Sequence, residues 1–406
     1  MVMIMNKQII PQGYKQTKVG VIPDYWKESL FNDIFIFSTG KNIKQNEAST
    51  EFAIPCVRYG ELYHMYNEVI DNIINKTNLD KSELLFSKGN EILLPSAGED
   101  PLDIGSASAL TLKDIAIGRT INILRPKNKD IYSQKYMAYY INHQLKRKIA
   151  SLSKGSSISN VYNSDLKILK IPLPPLKEQK KIATILTTWD DAITKQEELI
   201  KQKENLKKGL MQRLLSGEVR FDGFSDEWKF IKLGELLDYI QPTKYLVANK
   251  NYDSSYKTPV LTAGKTFILG YTKEEHGIFK DNLPVIIFDD FTTASKFVDF
   301  PFKAKSSAMK ILKAKNEDVN IRLVFEMIQM INYISEDHKR YWISEYQELE
   351  IKLPSLPEQQ KIAEVLSNAD KEIELLKHEL LELKAQKKGL MQKLLTGEVR
   401  VKEEIQ

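Results

Sequence analysis

Cysteine is almost missing from this chain of 406 residues. Cys56 is the only one, so neither an intrachain disulfide nor a cysteine-ligated metal cluster can form. A lone thiol in such a chain is expected to be a buried, inert residue of a protein kept in a reducing cytoplasm. Histidine is scarce as well. His64, His143, His276, His338 and His378 stand singly, without the i, i+4 pairing of a helical metal site, and no bound metal is expected. No run of 18 apolar residues occurs, which argues against a membrane-spanning helix, and residues 1–10 lack the apolar core and small-residue cleavage site of a secretory signal. A dominant charge is lacking too. With 59 Lys+Arg against 54 Asp+Glu, the net charge of +5 permits an anionic partner without requiring one.

What remains is the composition of an ordinary folded protein, 42% hydrophobic and 28% charged, which excludes disorder and collagen-like structure. The length points to two or three domains. The main signal is an internal repeat. Residues 171–220 read IPLPPLKEQKKIATILTTWDDAITKQEELIKQKENLKKGLMQRLLSGEVR, and residues 351–400 read IKLPSLPEQQKIAEVLSNADKEIELLKHELLELKAQKKGLMQKLLTGEVR. Laid over each other at an offset of 180, they share 24 of 50 positions without a gap. A weaker echo precedes each copy: Gly20, Trp26 and Leu30 in the first half, Gly223, Trp228 and Leu233 in the second. Residues 31–165 and 234–345 show almost no mutual similarity, so the chain alternates variable and fixed segments.

Each fixed segment reads as one long helix. Pro174-Pro175 and Pro354 with Pro357 mark the starts, where proline is tolerated, and Gly217 and Gly397 follow the last apolar pair as stops. In the second copy Ile362, Leu366, Ala369, Ile373, Leu376, Leu380, Leu383, Lys387, Leu390 and Leu394 recur at alternating steps of four and three, the seam of a coiled coil. The same register in the first copy holds Ile182, Leu186, Trp189, Ile193, Gln196, Ile200, Lys203, Lys207, Leu210 and Leu214, with a polar middle. A helix over 178–215 would run about 57 Å at 1.5 Å per residue. It cannot bury its stripe alone. The second copy is the simplest partner, in an antiparallel pair related by a pseudo-two-fold axis, with Gln196, Lys203 and Lys207 specifying register. Because each variable region follows the other copy's helix, residues 397–402 are expected beside residues 6–20.

Both variable regions read as α+β. Residues 54–57, 91–94 and 120–124 are strand candidates in the first, followed by a helix near 133–151. In the second, 259–262, 266–269, 285–288 and 308–312 precede an amphipathic helix over 322–333. Two divergent copies of one small domain explain this common order. The expected layout is a first domain over 1–172, a helix segment over 173–217, a second domain over 218–352, a second helix segment over 353–398 and a tail over 399–406.

Chemistry-bearing motifs fail when tested. Gly264-Lys265-Thr266 ends like a phosphate-binding loop, but the required earlier glycine is Pro259. Asp289-Asp290 lacks a nearby partner for a Mg²⁺-dependent nuclease, and an organising role for the turn Phe291-Thr292-Thr293 is expected instead. Leu173-Pro174-Pro175-Leu176 lacks the polar and aromatic residues of an amino-methyltransferase pocket. The chain is expected to hold no cofactor and to be no enzyme. Basic and hydroxyl residues do cluster in loops late in both domains, as contacts to DNA phosphates and base edges require. Candidates in the first domain are Lys41, Arg58, Tyr59, Ser96, Lys154, Ser156 and Ser157. In the second they are Lys244, Tyr245, Lys265, Thr292, Thr293, Lys296, Lys305, Ser306, Lys339, Arg340 and Tyr341.

The duplicated Leu-Pro-x-Leu-x-Glu-Gln-x-Lys-Ile-Ala start (Leu173 to Ala183, Leu353 to Ala363), the Lys-Lys-Gly-Leu-Met-Gln-x-Leu-Leu-x-Gly end (Lys207 to Gly217, Lys387 to Gly397) and the Trp26 and Trp228 openings resemble the specificity subunit of type I restriction-modification systems. Phe288-Asp289-Asp290-Phe291-Thr292-Thr293 and Phe302-Lys303-Ala304-Lys305-Ser306-Ser307-Ala308 are similar to a common target-recognition domain of that family. The resemblance spans nearly the whole chain. It implies two target-recognition domains, each reading half of a split double-stranded DNA site, and paired helices that set the spacer and dock two methyltransferase subunits. Those subunits would bring S-adenosylmethionine to methylate adenine. Restriction subunits with ATP and Mg²⁺ would cut unmodified DNA, and this chain would be the non-catalytic reader.

Overall fold

A computed structural model describes residues 10–264, 266–333 and 340–401. The chain divides into two compact units, and the division falls inside both long helices. One unit comprises the residues up to Lys195 together with those from Leu380 onward; the other is Gln196–Glu379. Each unit therefore contains one mixed domain, half of one long helix and half of the other.

In the first unit, Phe35–Thr39, Ile121–Pro126, Glu91–Pro95, Ser108–Leu110 and Val69–Ile70 form a five-stranded sheet in that order. A second five-stranded sheet runs Ala48–Ser49, Lys76–Thr77, Ile54–Val57, Lys113–Ile117, Phe86–Lys88. Glu91–Pro95 is buried along its whole length, as a central strand of Ile and Leu should be. The expected helix near 133–151 is present as Gln134–Tyr140 and Lys146–Ser151, joined through the wider π-turn Ile141–Leu145. Cys56 is fully buried on the strand Ile54–Val57, and burial pushes its thiol up to about 12. The thiol is therefore inert, as its isolation in the sequence suggests.

The second unit repeats the plan with fewer strands. Its main sheet runs Leu237–Ile240, Met309–Ala314, Val285–Asp289, Ser295–Val298, and a smaller one runs Ile268–Thr272, Thr258–Leu261, Lys303–Ala304. The amphipathic helix is Ile321–Met330, capped by the Asn320 side chain on Leu323 N. In each unit an antiparallel two-stranded ribbon ties the domain's start to its end: Lys27–Leu30 with Lys170–Leu173, and Lys229–Lys232 with Glu350–Leu353. The duplication expected for two unlike sequences thus extends to the order of paired strands.

The long helices are Leu176–Leu215 and Leu356–Thr396. Every seam position named above is buried or half-buried. Within the second unit Lys207 Nζ meets Asp370 Oδ1 at 2.7 Å, Lys203 meets Glu372 at 2.6 Å, and Gln196 Nε2 donates to Leu376 O at 3.0 Å. Ascending numbers on one helix match descending numbers on the other, so the segments are antiparallel. The first unit holds the copy of this contact 180 residues away, where Lys387 pairs with Asp190. The polar residues in the seam are satisfied across it, which is how they select one register.

The repeated Glu-Gln dipeptide has a structural reason. Gln179 is fully buried; its amide donates to Pro174 O (2.8 Å) and Ile131 O (3.0 Å), while its oxygen accepts from Ser133 N (2.9 Å). Gln359 does the same with Pro354 O, Asp318 O and Asn320 N. The glutamine thus locks the helix start to the loop leading into the domain's own helix. The preceding glutamate is buried as well. Glu178 accepts from Trp26 Nε1 (3.1 Å) and pairs with Arg400 (3.3 Å), and Glu358 accepts from Trp228 Nε1 (3.0 Å) and pairs with Arg220 (2.7 Å). In both, the arginine follows the end of the other long helix. The expected proximity of the chain's two ends holds for the described residues, since Tyr14 Oη donates to Gly397 O at 2.8 Å; residues 6–9 and 402 lie outside them.

Gln359→Ala strands the buried Pro354 O and the part-buried Asp318 O and Asn320 N and should cost about 2–3 kcal/mol of stability, read from urea unfolding. Gln359→Glu keeps the acceptor for Asn320 N and loses the two donors, so it should also destabilise; an unchanged midpoint in both variants would contradict this account.

Candidate nucleic-acid interface

In the second unit, the turn between Val285–Asp289 and Ser295–Val298 is built by Asp289, whose Oδ1 accepts from Phe291 N (2.9 Å) and Thr292 N (3.3 Å). Thr293 closes it with φ +59°, a left-handed conformation imposed on a β-branched residue, and its N–H returns to Asp289 O. Asp290 binds three segments together. Its N–H donates to Ala308 O (3.3 Å), its carbonyl accepts from Tyr341 N (3.0 Å), and its Oδ1 accepts from Trp342 N (3.0 Å). Asp290 is 2% exposed and faces Lys310, 1% exposed, at 3.6 Å. The acidic pair thus organises the turn, as its sequence context suggests. Among the described residues no group of three or more His, Cys, Asp or Glu is placed to hold a metal ion.

Around Asp290 the fold gathers Thr292, Thr293, Ser306 and Arg340. Thr292, Ser306 and Arg340 are exposed. Tyr341 differs from its expected place on the surface: it is 1% exposed and packs its ring 5.6 Å from Tyr333, so it belongs to the core. A second group forms where Val247 N donates to Ala304 O and Lys305 N to Leu261 O, bringing the turn Pro242–Tyr245 beside Lys305. Lys244 there is exposed, whereas Tyr245 is half-buried against Phe279 at 4.9 Å. Lys305 holds its ammonium 5.8 Å from the Tyr252 ring. Lys296 is exposed on the outermost strand, opposite Ile287, and joins neither group. Lys265 and Lys339 lie outside the described residues.

In the first unit, Lys154, Ser156 and Ser157 are exposed in a hairpin closed by the reciprocal bonds of Lys154 and Asn160. Gly155 has φ +121°, and a Cβ there would meet Ile158 O at 2.1 Å, so only glycine fits. Lys154 bonds Asp165 at 2.9 Å and holds that carboxyl below its usual range. The hairpin docks on Ala97–Gly98, with Val161 N donating to Ser96 O, and Ile158, Gly98, Tyr59 and Tyr63 line one depression. Tyr59 lines that depression together with the acidic Glu99, Asp100 and Asp103, while Ser96, Ser156 and Ser157 lie beside it, next to the paired strand and in the hairpin. Arg58, 21% exposed, donates Nε to Glu61 at 2.8 Å, so its guanidinium is partly committed to the fold. Lys41 is exposed and anchored through its N–H to Ile117 O. Lys44, Tyr63, His64 and Arg119 line a depression with Arg58 and Tyr59 but were not expected there. Their signal was weak: single residues in short turns whose proximity depends on the crossing of two sheets.

Exposed loops bearing Lys, Arg, Ser and Thr in each of two units, built on one strand plan and each with its own antiparallel pair of helix segments, define a class of internally duplicated proteins. Comparison with known proteins places the chain in it. The model of the family described as type I restriction modification DNA specificity domain matches residues 23–203 and again 225–385, and the chain belongs to that family. The specificity subunit of the Escherichia coli type I restriction enzyme EcoR124I/EcoR124II is 51% identical over 141 residues, a stretch covering 34% of each chain. The Methanocaldococcus jannaschii MjaVIII specificity subunit is 28% identical over 443 residues, covering 97% of this chain and 99% of the relative. The solved type I restriction-modification S subunit of M. genitalium shares the fold at TM-score 0.64 and 18% identity, covering 91% of this chain and 96% of that one. No helix among the described residues is long and apolar enough to cross a membrane.

Asp290→Ala leaves Lys310 charged and buried without its partner, and should cost about 3–5 kcal/mol. Adding Lys310→Met should recover most of that loss. Thermal unfolding of both variants checks this, and a single variant as stable as the parent chain would contradict it.

Proposed function

We propose that each unit reads one half of a bipartite double-stranded DNA site, while the long helices fix the unread spacer between the halves and dock methyltransferase subunits. The observation that carries this reading is the contrast within the repeat. The Glu-Gln helix starts, the glutamine locks and the Lys–Asp seam contacts are duplicated, whereas the exposed loops of the two units share almost nothing. A duplicated frame with unlike tips suits two different sequences held in one protein. The Lys, Arg, Ser and Thr side chains on those tips supply phosphate neutralisation and base-edge hydrogen bonds.

On this reading the chain carries out no reaction. The methyltransferase subunits supply S-adenosylmethionine, and restriction subunits supply ATP and Mg²⁺. Its membership of the specificity-domain family and its likeness to specificity subunits across 97% of its length support that division.

Adenine-methylation mapping in cells expressing this chain with its methyltransferase tests the proposal. The expected result is a split motif with two defined halves around a spacer of fixed length. A contiguous motif would contradict it, as would methylation or cleavage of DNA by the purified chain alone given S-adenosylmethionine and Mg²⁺.

A further inference from the structure

Arg119 occupies the turn between Lys113–Ile117 and Ile121–Pro126, and its side chain is exposed. Among the described residues its guanidinium makes no hydrogen bond or ion pair. Its neighbour in the same depression, Arg58, is different. The Nε of Arg58 is held by Glu61, which is 2% exposed and also accepts from Arg58 N (3.1 Å) and Asn75 Nδ2 (3.0 Å). Arg58 is thus tied through Nε to the loop, whereas the whole guanidinium of Arg119 is free.

The backbone beneath Arg119 is fixed from three sides. Gly118 N donates to Val57 O (2.8 Å), Arg119 N to Asn42 O (2.7 Å), and Ser96 N to Thr120 O (2.8 Å). The crossing with the loop before it is so close that a Cβ on Gly40 would lie 1.9 Å from Gly118 O. Asn42, Ile43 and Thr120 all hold left-handed φ values, 52°, 57° and 66°. Ile43 and Thr120 are β-branched and rarely adopt that conformation, which persists where the surroundings impose it and clusters at functional sites. Tyr59 and Tyr63 stand in the same depression, their rings 6.4 Å apart.

We propose that Arg119 reads a guanine in the half-site of the first unit, its planar fork donating to O6 and N7 in the major groove. The inference rests on the DNA-reading function argued above. A phosphate can be met by a mobile lysine at little geometric cost, and Lys41 is exposed nearby for that purpose. A fixed Cα beneath a free guanidinium suits a contact that must keep register with a base edge.

The test compares methylation motifs and in vitro binding of the full chain with its methyltransferase, for the parent and for Arg119→Ala and Arg119→Lys, on duplexes substituted one base pair at a time. The parent should lose roughly 5- to 150-fold in affinity when one G·C pair of one half-site is replaced. Both variants should lose that discrimination and leave the other half-site unchanged, with melting temperatures close to the parent's. Lysine keeps the charge but not the fork, so its failure to restore discrimination separates base reading from charge. Uniform weakening across all sequences, or an unaltered motif in both variants, would overturn the proposal for Arg119. A parent without any bipartite motif would instead overturn the functional reading beneath it.

Discussion

A carboxylate taken out of water must be paired, and this protein places one at the start of each long helix. Glu178 and Glu358 are buried beside a tryptophan indole N–H and an arginine that arrives from the end of the other long helix. Leaving either charge unmatched would be costly, so the start of one helix and the end of the other are held together. The composition of each unit follows from this. Neither long helix belongs to one unit alone, and each mixed domain packs its core on the start of the helix that follows it and the end of the other: Ile182, Leu186, Leu394 and Leu395 in the first unit, Leu214, Ile362 and Leu366 in the second.

The seam between the helices follows the same principle more locally. An uninterrupted Leu seam would tolerate sliding by a heptad, whereas Lys207 opposite Asp370 and Lys387 opposite Asp190 are matched at one offset only. Further acidic partners surround each lysine: Glu326 at 3.5 Å from Lys207 and Glu68 at 3.9 Å from Lys387. Both come from the mixed domains, so register along the helices and seating of the domain on them are coupled in each unit. The exposed loops supply none of these seam contacts, so the loops of the two units can differ while the frame stays duplicated.

The frame was legible in the sequence because it repeats. Two gap-free copies, prolines at the starts, glycines at the stops and a four-three spacing of apolar residues gave the helices, the seam and the antiparallel pairing. Strand candidates such as 54–57 and 285–288 were legible from β-branched runs. The roles of Glu178, Gln179 and their counterparts were not, since their partners lie far along the chain. The loops were harder still. Arg58 and Tyr341 look like surface contacts from residue type, but Glu61 and Tyr333 hold them to the fold, and Arg119 passes for an ordinary turn residue until Asn42, Val57 and Ser96 are brought against its turn. Contact candidates chosen by residue type thus miss what tertiary pairing uses up and what it leaves free.

Hydrogen–deuterium exchange of Glu178→Ala measures the central claim most directly. Removing that carboxylate should raise exchange in the ribbon around residues 14–30, at 170–190 and at 385–400, while the strands over 229–353 keep the parent's protection. Uniform loss of protection along the whole chain, or loss confined to the first turn of the helix, would contradict the claim that this buried charge joins one helix's start to the other's end within a single unit.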